Sequence, residues 1–194
     1  RQKKHFLFIN QSSIYQVIHQ YQQSFVSTLK FMNKLHVILS ETSHAGNIGA
    51  VARAMHVCGL SQLHLINPQT EVSKESYDRA THHAKKILDG LTHHETVESV
   101  NDVCDIVYAF TNRDRDISLP ALSLSEAASE ITQYSHTQIG ILFGPERTGL
   151  TNHDLNYANR CVYIPCSNEN TSMNLSHAVQ TALYVLTLPE SQSI

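Results

Sequence analysis

Ile164-Pro165-Cys166-Ser167-Asn168-Glu169-Asn170-Thr171-Ser172-Met173-Asn174-Leu175-Ser176-His177-Ala178-Val179 is the stretch on which the fold turns. An apolar run containing Val162 and Ile164 empties into a polar loop. Leu175, Ala178, Val179, Ala182 and Leu186 then recur at helical spacing. Ser172 and Asn174 are good N-cap residues, so a helix start is signalled there. A strand, a polar loop and a helix N-terminus leave free backbone N–H groups for a nucleotide-like ligand.

Outward from this stretch the chain alternates strands and helices. Strands are expected over Leu35–Leu39, Leu63–Ile66, Ile106–Phe110, Ile139–Phe143 and Val162–Ile164. Helices are expected over Ile48–Val57, Lys74–Asp89, Ser123–Tyr134, His153–Asn159 and Asn174–Leu186. Such alternation predicts an α/β fold, an open and mostly parallel sheet with helices on both faces. Ligands of such sheets sit beyond the carboxyl ends of the strands. Residues 1–31 read differently: they are rich in Gln and Ser, with Ile14, Val17, Ile18, Tyr21, Phe25 and Leu29 at helical spacing. They are either a leader ahead of Met32 or an appended amphipathic helix, and residues 32–194 form the main domain.

The 194 residues suffice to bury a core without disulfides. The four cysteines form no C-x-x-C pair and lie in or beside apolar runs, as reduced thiols of a cytoplasmic protein do. A formal net charge of −3 argues against a chain-wide basic footprint, so any RNA contact has to come from local clusters. His82-His83 and His93-His94 are adjacent pairs that cannot share a helix face as metal ligands, and they read as solvated surface.

Two further segments repeat the pattern of a strand end leading to a loop or helix. In Asn47-Ile48-Gly49-Ala50-Val51-Ala52-Arg53-Ala54-Met55, Gly46 and Asn47 suggest a tight entry and an N-cap. Ile48, Val51, Ala52 and Met55 form one apolar stripe, which leaves Arg53 displayed as a guanidinium fork for phosphate. In Leu142-Phe143-Gly144-Pro145-Glu146-Arg147-Thr148-Gly149-Leu150, Gly144 would let a ligand approach the backbone and Gly149 supplies a permissive turn. Neither a P-loop nor G-x-G-x-x-G is present. A fourth loop, Thr111-Asn112-Arg113-Asp114-Arg115, follows the strand Ile106–Phe110.

In this order the three segments resemble motifs one to three of the SPOUT (SpoU/TrmD) RNA methyltransferases. Ser40–Gly49, Gly149-Leu150-Thr151-Asn152 and Ser172-Met173-Asn174-Leu175 are similar to the branch that methylates a tRNA ribose 2′-hydroxyl. The resemblance implies a C-terminal trefoil knot and a homodimer with active sites shared between subunits. It also implies S-adenosyl-L-methionine as methyl donor, leaving as S-adenosyl-L-homocysteine, with no metal. The implied target is the pyrimidine on the 5′ side of the tRNA anticodon loop. The alternatives are the wobble nucleotide, or a catalytically silent RNA-binding domain of the same fold. Carried over residue by residue, Arg53, Asn47, Glu146, Ser172 and Asn174 form the catalytic set. Thr111, Asn112, Arg113, Gly144, Ile164, Thr171, Ser172 and Met173 line the cofactor. Either Arg113 or Arg115 matches the family's loop arginine.

Overall fold

The computed structural model describes residues 32–113, 119–134, 136–167 and 173–188. The expectations for 1–31, Arg115, Thr171 and Ser172 lie outside them. Seven strands form one sheet: β1 (Leu35–Ser40), β2 (Gln62–Ile66), β3 (Thr92–His94), β4 (Ile106–Phe110), β5 (Ala121–Ser123), β6 (Ile139–Phe143) and β7 (Arg160–Tyr163). Their order is β3-β2-β1-β6-β4-β7-β5, and every pairing is parallel. The helices are α1 (Ala45–Val57), α2 (Lys74–Asp89), α3 (Leu124–Ile131), α4 (Asn152–Leu155) and α5 (Leu175–Thr187), with a 3₁₀ turn over Val97–Asp102.

β1 and β6 are buried at every position, as central parallel strands covered on both faces must be. Alternation along β1 sends Leu35, Val37 and Leu39 into one core, together with apolar residues of α1, α2, α3 and α5. Ile38 faces a smaller core closed by the 3₁₀ turn and α4. Both faces are therefore covered, but unequally. The long helices share one side.

Three expectations need correcting. β3 and β5, three residues each, carry polar residues and no run long enough to register as strands. α4 stops at Leu155 instead of reaching Asn159, whose side chain accepts a hydrogen bond from the Val107 N–H at 2.8 Å and so ties this segment to β4. α1 starts at Ala45, so His44 and not Asn47 occupies the N-cap. The close approach beside it falls at Gly49, where a Cβ would lie 2.0 Å from the Ser76 carbonyl oxygen of α2.

A polar line crosses the smaller core. His36 on β1, His64 on β2 and His94 on β3 are joined ring to ring, at 2.8 Å between His36 Nδ1 and His64 Nε2 and 2.9 Å between His64 Nδ1 and His94 Nε2. His36 Nε2 meets Gln138 Oε1 at 2.9 Å, and His94 Nδ1 meets Ser99 Oγ at 2.9 Å. His36 and His64 are buried and His94 is half-buried, so His94 is not the solvated residue expected from its neighbour His93.

Candidate active site

β1, β4, β6 and β7 end on the same side of the sheet because all are parallel. A cavity of about 310 Å³ opens at the ends of β4, β6 and β7. Its apolar wall is built by Phe110, Phe143, Val162, Ile164 and Leu175, with Phe110 and Phe143 stacked at 4.7 Å between centroids. Thr111, Asn112, Arg113, Gly144 and Glu146 supply the polar side.

Two of these residues hold the loops that shape the cavity. The Asn112 amide donates to the Ile164 carbonyl at 3.3 Å and accepts from the Ile164 N–H at 3.1 Å. It prolongs the β4–β7 ladder by one rung made of side chain. Arg113 Nη2 donates to the Arg147 carbonyl at 2.9 Å, strapping the loop after β4 to the loop after β6. That second loop folds back tightly: a Cβ on Gly144 would sit 2.3 Å from the Leu150 nitrogen, and Gly149 has φ +64°. Gly144 is thus needed for the return of its own loop, and the crowding comes from protein backbone.

Beside the cavity three distant segments are joined by a relay that ends on Glu146. Its Oε1 accepts from Asn47 Nδ2 at 2.8 Å, and its Oε2 accepts from the Ser43 N–H at 3.1 Å and the Ser43 hydroxyl at 2.9 Å. Asn174 Nδ2 donates to Asn47 Oδ1 at 3.2 Å. Asn174 Oδ1 in turn accepts from the Ser176 N–H at 2.9 Å, capping α5 as its sequence suggests. Every donor in this relay points toward the carboxylate. Partial burial alone would raise the Glu146 carboxyl, but the hydrogen bonds from Asn47, its own N–H and Ser43 outweigh that and hold it below the usual carboxylate range.

The relay has a chemical consequence. Both Glu146 oxygens are engaged, and both amide oxygens of Asn47 and Asn174 already accept hydrogen bonds. Among the described residues each amide NH₂ makes one hydrogen bond and has one hydrogen left to give. This corner therefore offers donors to an incoming oxygen and is poorly equipped to remove a proton.

Of the residues singled out from the sequence, Thr111, Asn112, Arg113, Gly144, Glu146, Ile164 and Met173 line the cavity. Asn47 and Asn174 reach it through Glu146. Arg53 does not join them: it is exposed and makes no hydrogen bond or ion pair to another described residue. Six positions along a helix carry it about 9 Å beyond Asn47 and roughly 240° around the axis. Ser43 was missed as a site residue although it lies within the matching segment, and Cys166 completes the cavity wall unannounced.

A parallel sheet with a ligand-sized cavity and a polar relay beyond the carboxyl ends of its middle strands defines an α/β protein with its candidate site where open parallel sheets carry theirs. Residues 34–184 match the model of the SpoU rRNA Methylase family, and the chain belongs to that family. It is 37% identical over 155 residues to the tRNA (cytidine/uridine/adenosine-2′-O-)-methyltransferase TrmJ of Pseudomonas aeruginosa, covering 79% of this chain and 60% of that protein. The crystal structure of TrmJ from Z. mobilis superposes with a TM-score of 0.75 at 32% identity, covering 82% of this chain and 70% of that one. A structure solved for the 2-OH methylation of C/U34 on tRNA gives a TM-score of 0.62 at 27% identity, covering 78% and 93%. The chain spans 60–64% of the length of curated TrmJ relatives that it matches.

Proposed function

We propose that this protein methylates a ribose 2′-hydroxyl of tRNA from S-adenosylmethionine, at the pyrimidine on the 5′ side of the anticodon loop. The observation that carries the reading is the relay binding Asn47, Glu146 and Asn174, one residue from each matching motif, beside a ligand-sized cavity. The residues fit the cofactor. Apolar side chains at Ile164 and Leu175 suit an adenine ring, and the loops at 111–113 and 144–149 bring backbone polar groups to the cavity. When bound, this cofactor supplies a methyl group already activated for transfer.

The chain's own residues then bind and orient. Asn174 and Asn47 aim N–H groups at an oxygen, stabilising negative charge as it develops there. The Arg53 guanidinium clamps a flanking phosphate. Its distance from its own relay supports a role in completing the site of a second copy in a homodimer, and the exposed Val57 and Tyr184 on α1 and α5 offer apolar surface for such a contact. The family's trefoil knot belongs to the same reading, supported by β6 lying between β1 and β4 while β7 lies between β4 and β5. Among the described residues no helix is long and apolar enough to cross a membrane. We assign the activity to the cytoplasm, where the four free thiols stay reduced.

The test is methyl incorporation from labelled cofactor into an unmodified tRNA transcript, followed by mapping of the product nucleotide. A 2′-O-methyl mark in the anticodon loop is expected. Binding of cofactor and tRNA without any transfer would instead identify a silent RNA-binding domain. Mixing Arg53→Ala with Glu146→Gln protein should restore part of the activity if subunits exchange, and inactive heterodimers would refute the shared site.

A further inference from the structure

The relay and cavity leave unused a positive surface on the helical side of the sheet. The whole chain carries a formal charge of −3, yet from Arg79 to Lys86 α2 presents Arg79, Lys85 and Lys86 with no acidic residue between them. All three are exposed. Asp78, just before this segment, is taken by Lys74 at 2.8 Å, and Asp89, just after it, accepts from the Tyr77 hydroxyl at 2.8 Å. Among the described residues Arg79, Lys85 and Lys86 form no ion pair within 4 Å, and Lys85 acts on Asp78 only weakly, after the contact from Lys74.

α1 extends this surface. It lies beside α2 and runs in the same direction: Gly46 and Gly49 meet Glu75 and Ser76 near the helix starts, and further along His56 stacks on His83. The two rings are 5.8 Å apart at 14°. Arg53 and His56, one turn apart on α1, share one side of that helix. The backbone breaks at Thr81, with φ +65° and ψ 171°, a conformation costly for a β-branched residue. The segment that follows carries His83 onto His56 and Lys85 and Lys86 beyond it. A strained position inside a helix is the kind of feature that functional surfaces retain.

We infer that Arg53, His56, Arg79, His83, Lys85 and Lys86 form a track for the sugar–phosphate backbone of the substrate RNA, leading toward the site that Arg53 completes. The inference rests on the RNA methyltransferase reading above. RNA is favoured over an acidic protein or a lipid surface because the track shares α1 with the relay, whose Asn47 stands near the start of that helix. A polyanion lying on the track is thereby delivered to Arg53, and through it to the second copy's site that Arg53 completes. Guanidinium and ammonium groups bind its phosphates, and imidazole faces suit stacking on unpaired bases.

The test compares the full chain with a Lys85→Gln/Lys86→Gln double variant. An unmodified tRNA transcript is titrated at salt concentrations from low to physiological. Losing two phosphate contacts should lower the slope of log affinity against log salt by about 1.4–1.8 and weaken binding roughly tenfold at low salt. Cofactor affinity and melting temperature should not change, since both lysines are exposed and remote from the cavity lining. Methyl transfer by the wild type with an unaltered salt slope in the variant would overturn the track while leaving the function intact. A wild type that neither binds nor methylates tRNA would overturn both. Vesicles of phosphatidylserine and phosphatidylcholine serve as a second probe. Loss of vesicle binding alone would assign the surface to lipid and also overturn the track.

Discussion

Two hydrogen-bonded lines run through this molecule, and they are built on opposite principles. The relay Ser43, Glu146, Asn47 and Asn174 ends on an anion, which fixes the direction of every donor and leaves amide hydrogens unused beside a cavity that Glu146 lines. The line His36, His64 and His94 ends on neutral groups at both sides, Gln138 and Ser99, and its middle member is buried. One line is polarised and open, whereas the other is symmetric in chemistry and closed. An active site needs the first kind, because spare donors can meet a reacting oxygen. A line with no spare group can only hold its strands together or count protons.

The largest effect should come from removing the anion. In Glu146→Gln the new amide has one acceptor and one donor end. If its oxygen keeps the Ser43 donors, its NH₂ faces Asn47 and forces that amide to turn over. Asn174 must then turn as well, which would set its NH₂ against the Ser176 N–H and break the α5 cap. Methyl transfer should fall by about two to three decades, the cost of misplaced donors at a developing oxyanion. Loss of the cap should cost about 1 kcal/mol of stability. Single-turnover rates against denaturation midpoints check this. A Glu146→Gln protein with near-normal turnover would show that direction along the relay does not matter.

The closed line predicts a loss of stability on mild acidification. Three neutral rings can all carry their proton on Nε2, each donating toward Gln138, with the Ser99 hydroxyl donating to His94. One added proton fits at His94 Nδ1 if Ser99 turns toward the Thr96 carbonyl, 2.8 Å away. A second would set two N–H groups against each other across a gap of 2.8 or 2.9 Å. Burial first, and then the neighbouring His36 and His94, lower His64 from 6.5 to about 4. A folded pKa below the unfolded one means that the unfolded chain binds more protons between those values. Stability is therefore full above about pH 6.5 and is lost as pH falls toward 4. From pH 7.5 to pH 5 the His64 contribution is about 2 kcal/mol. Denaturant titrations of wild type and His64→Gln should show the variant with the shallower pH dependence. Equal slopes would mean that the line does not exclude protons.

These two lines also mark what could be read from the chain alone. The strands Ile106–Phe110 and Ile139–Phe143 were legible because buried parallel strands are continuous apolar runs, and Asn174 announced itself as a cap. Asn47 misled for a physical reason: a cap-forming residue near a helix start reads as a cap, whereas its amide is claimed by a carboxylate 99 positions away. His36 and His64, 28 positions apart, meet only because β1 and β2 pair in a particular register. Asn112 was expected at the cofactor, and it does line the cavity, but its bonds to Ile164 depend on β7 lying next to β4. Local pattern reports elements. Bonds between distant elements depend on register and strand order, which local patterns do not carry.

The smallest effect should come from Ser43, and it separates the two hydroxyl-bearing ends. Ser43→Ala removes one of two donors to Glu146 Oε2 and keeps the backbone N–H at 3.1 Å. The carboxylate still terminates the relay, so Asn47 and Asn174 keep their orientation. A lost hydrogen bond to a charged acceptor would cost about 1.5–3 kcal/mol when buried, and the exposure of Ser43 brings this to about 1 kcal/mol because water replaces the hydroxyl. Turnover should therefore drop about fivefold with cofactor affinity unchanged, and Ser43→Thr should recover most of it. The same variant removes one of the bonds that lower Glu146, so the acid limb of the rate profile should move to higher pH. A purely structural serine would lower the melting temperature and leave that limb where it was. Measuring the pH profile of the single-turnover rate for wild type, Ser43→Ala and Ser43→Thr therefore decides whether Ser43 positions the Glu146 carboxylate or merely covers it.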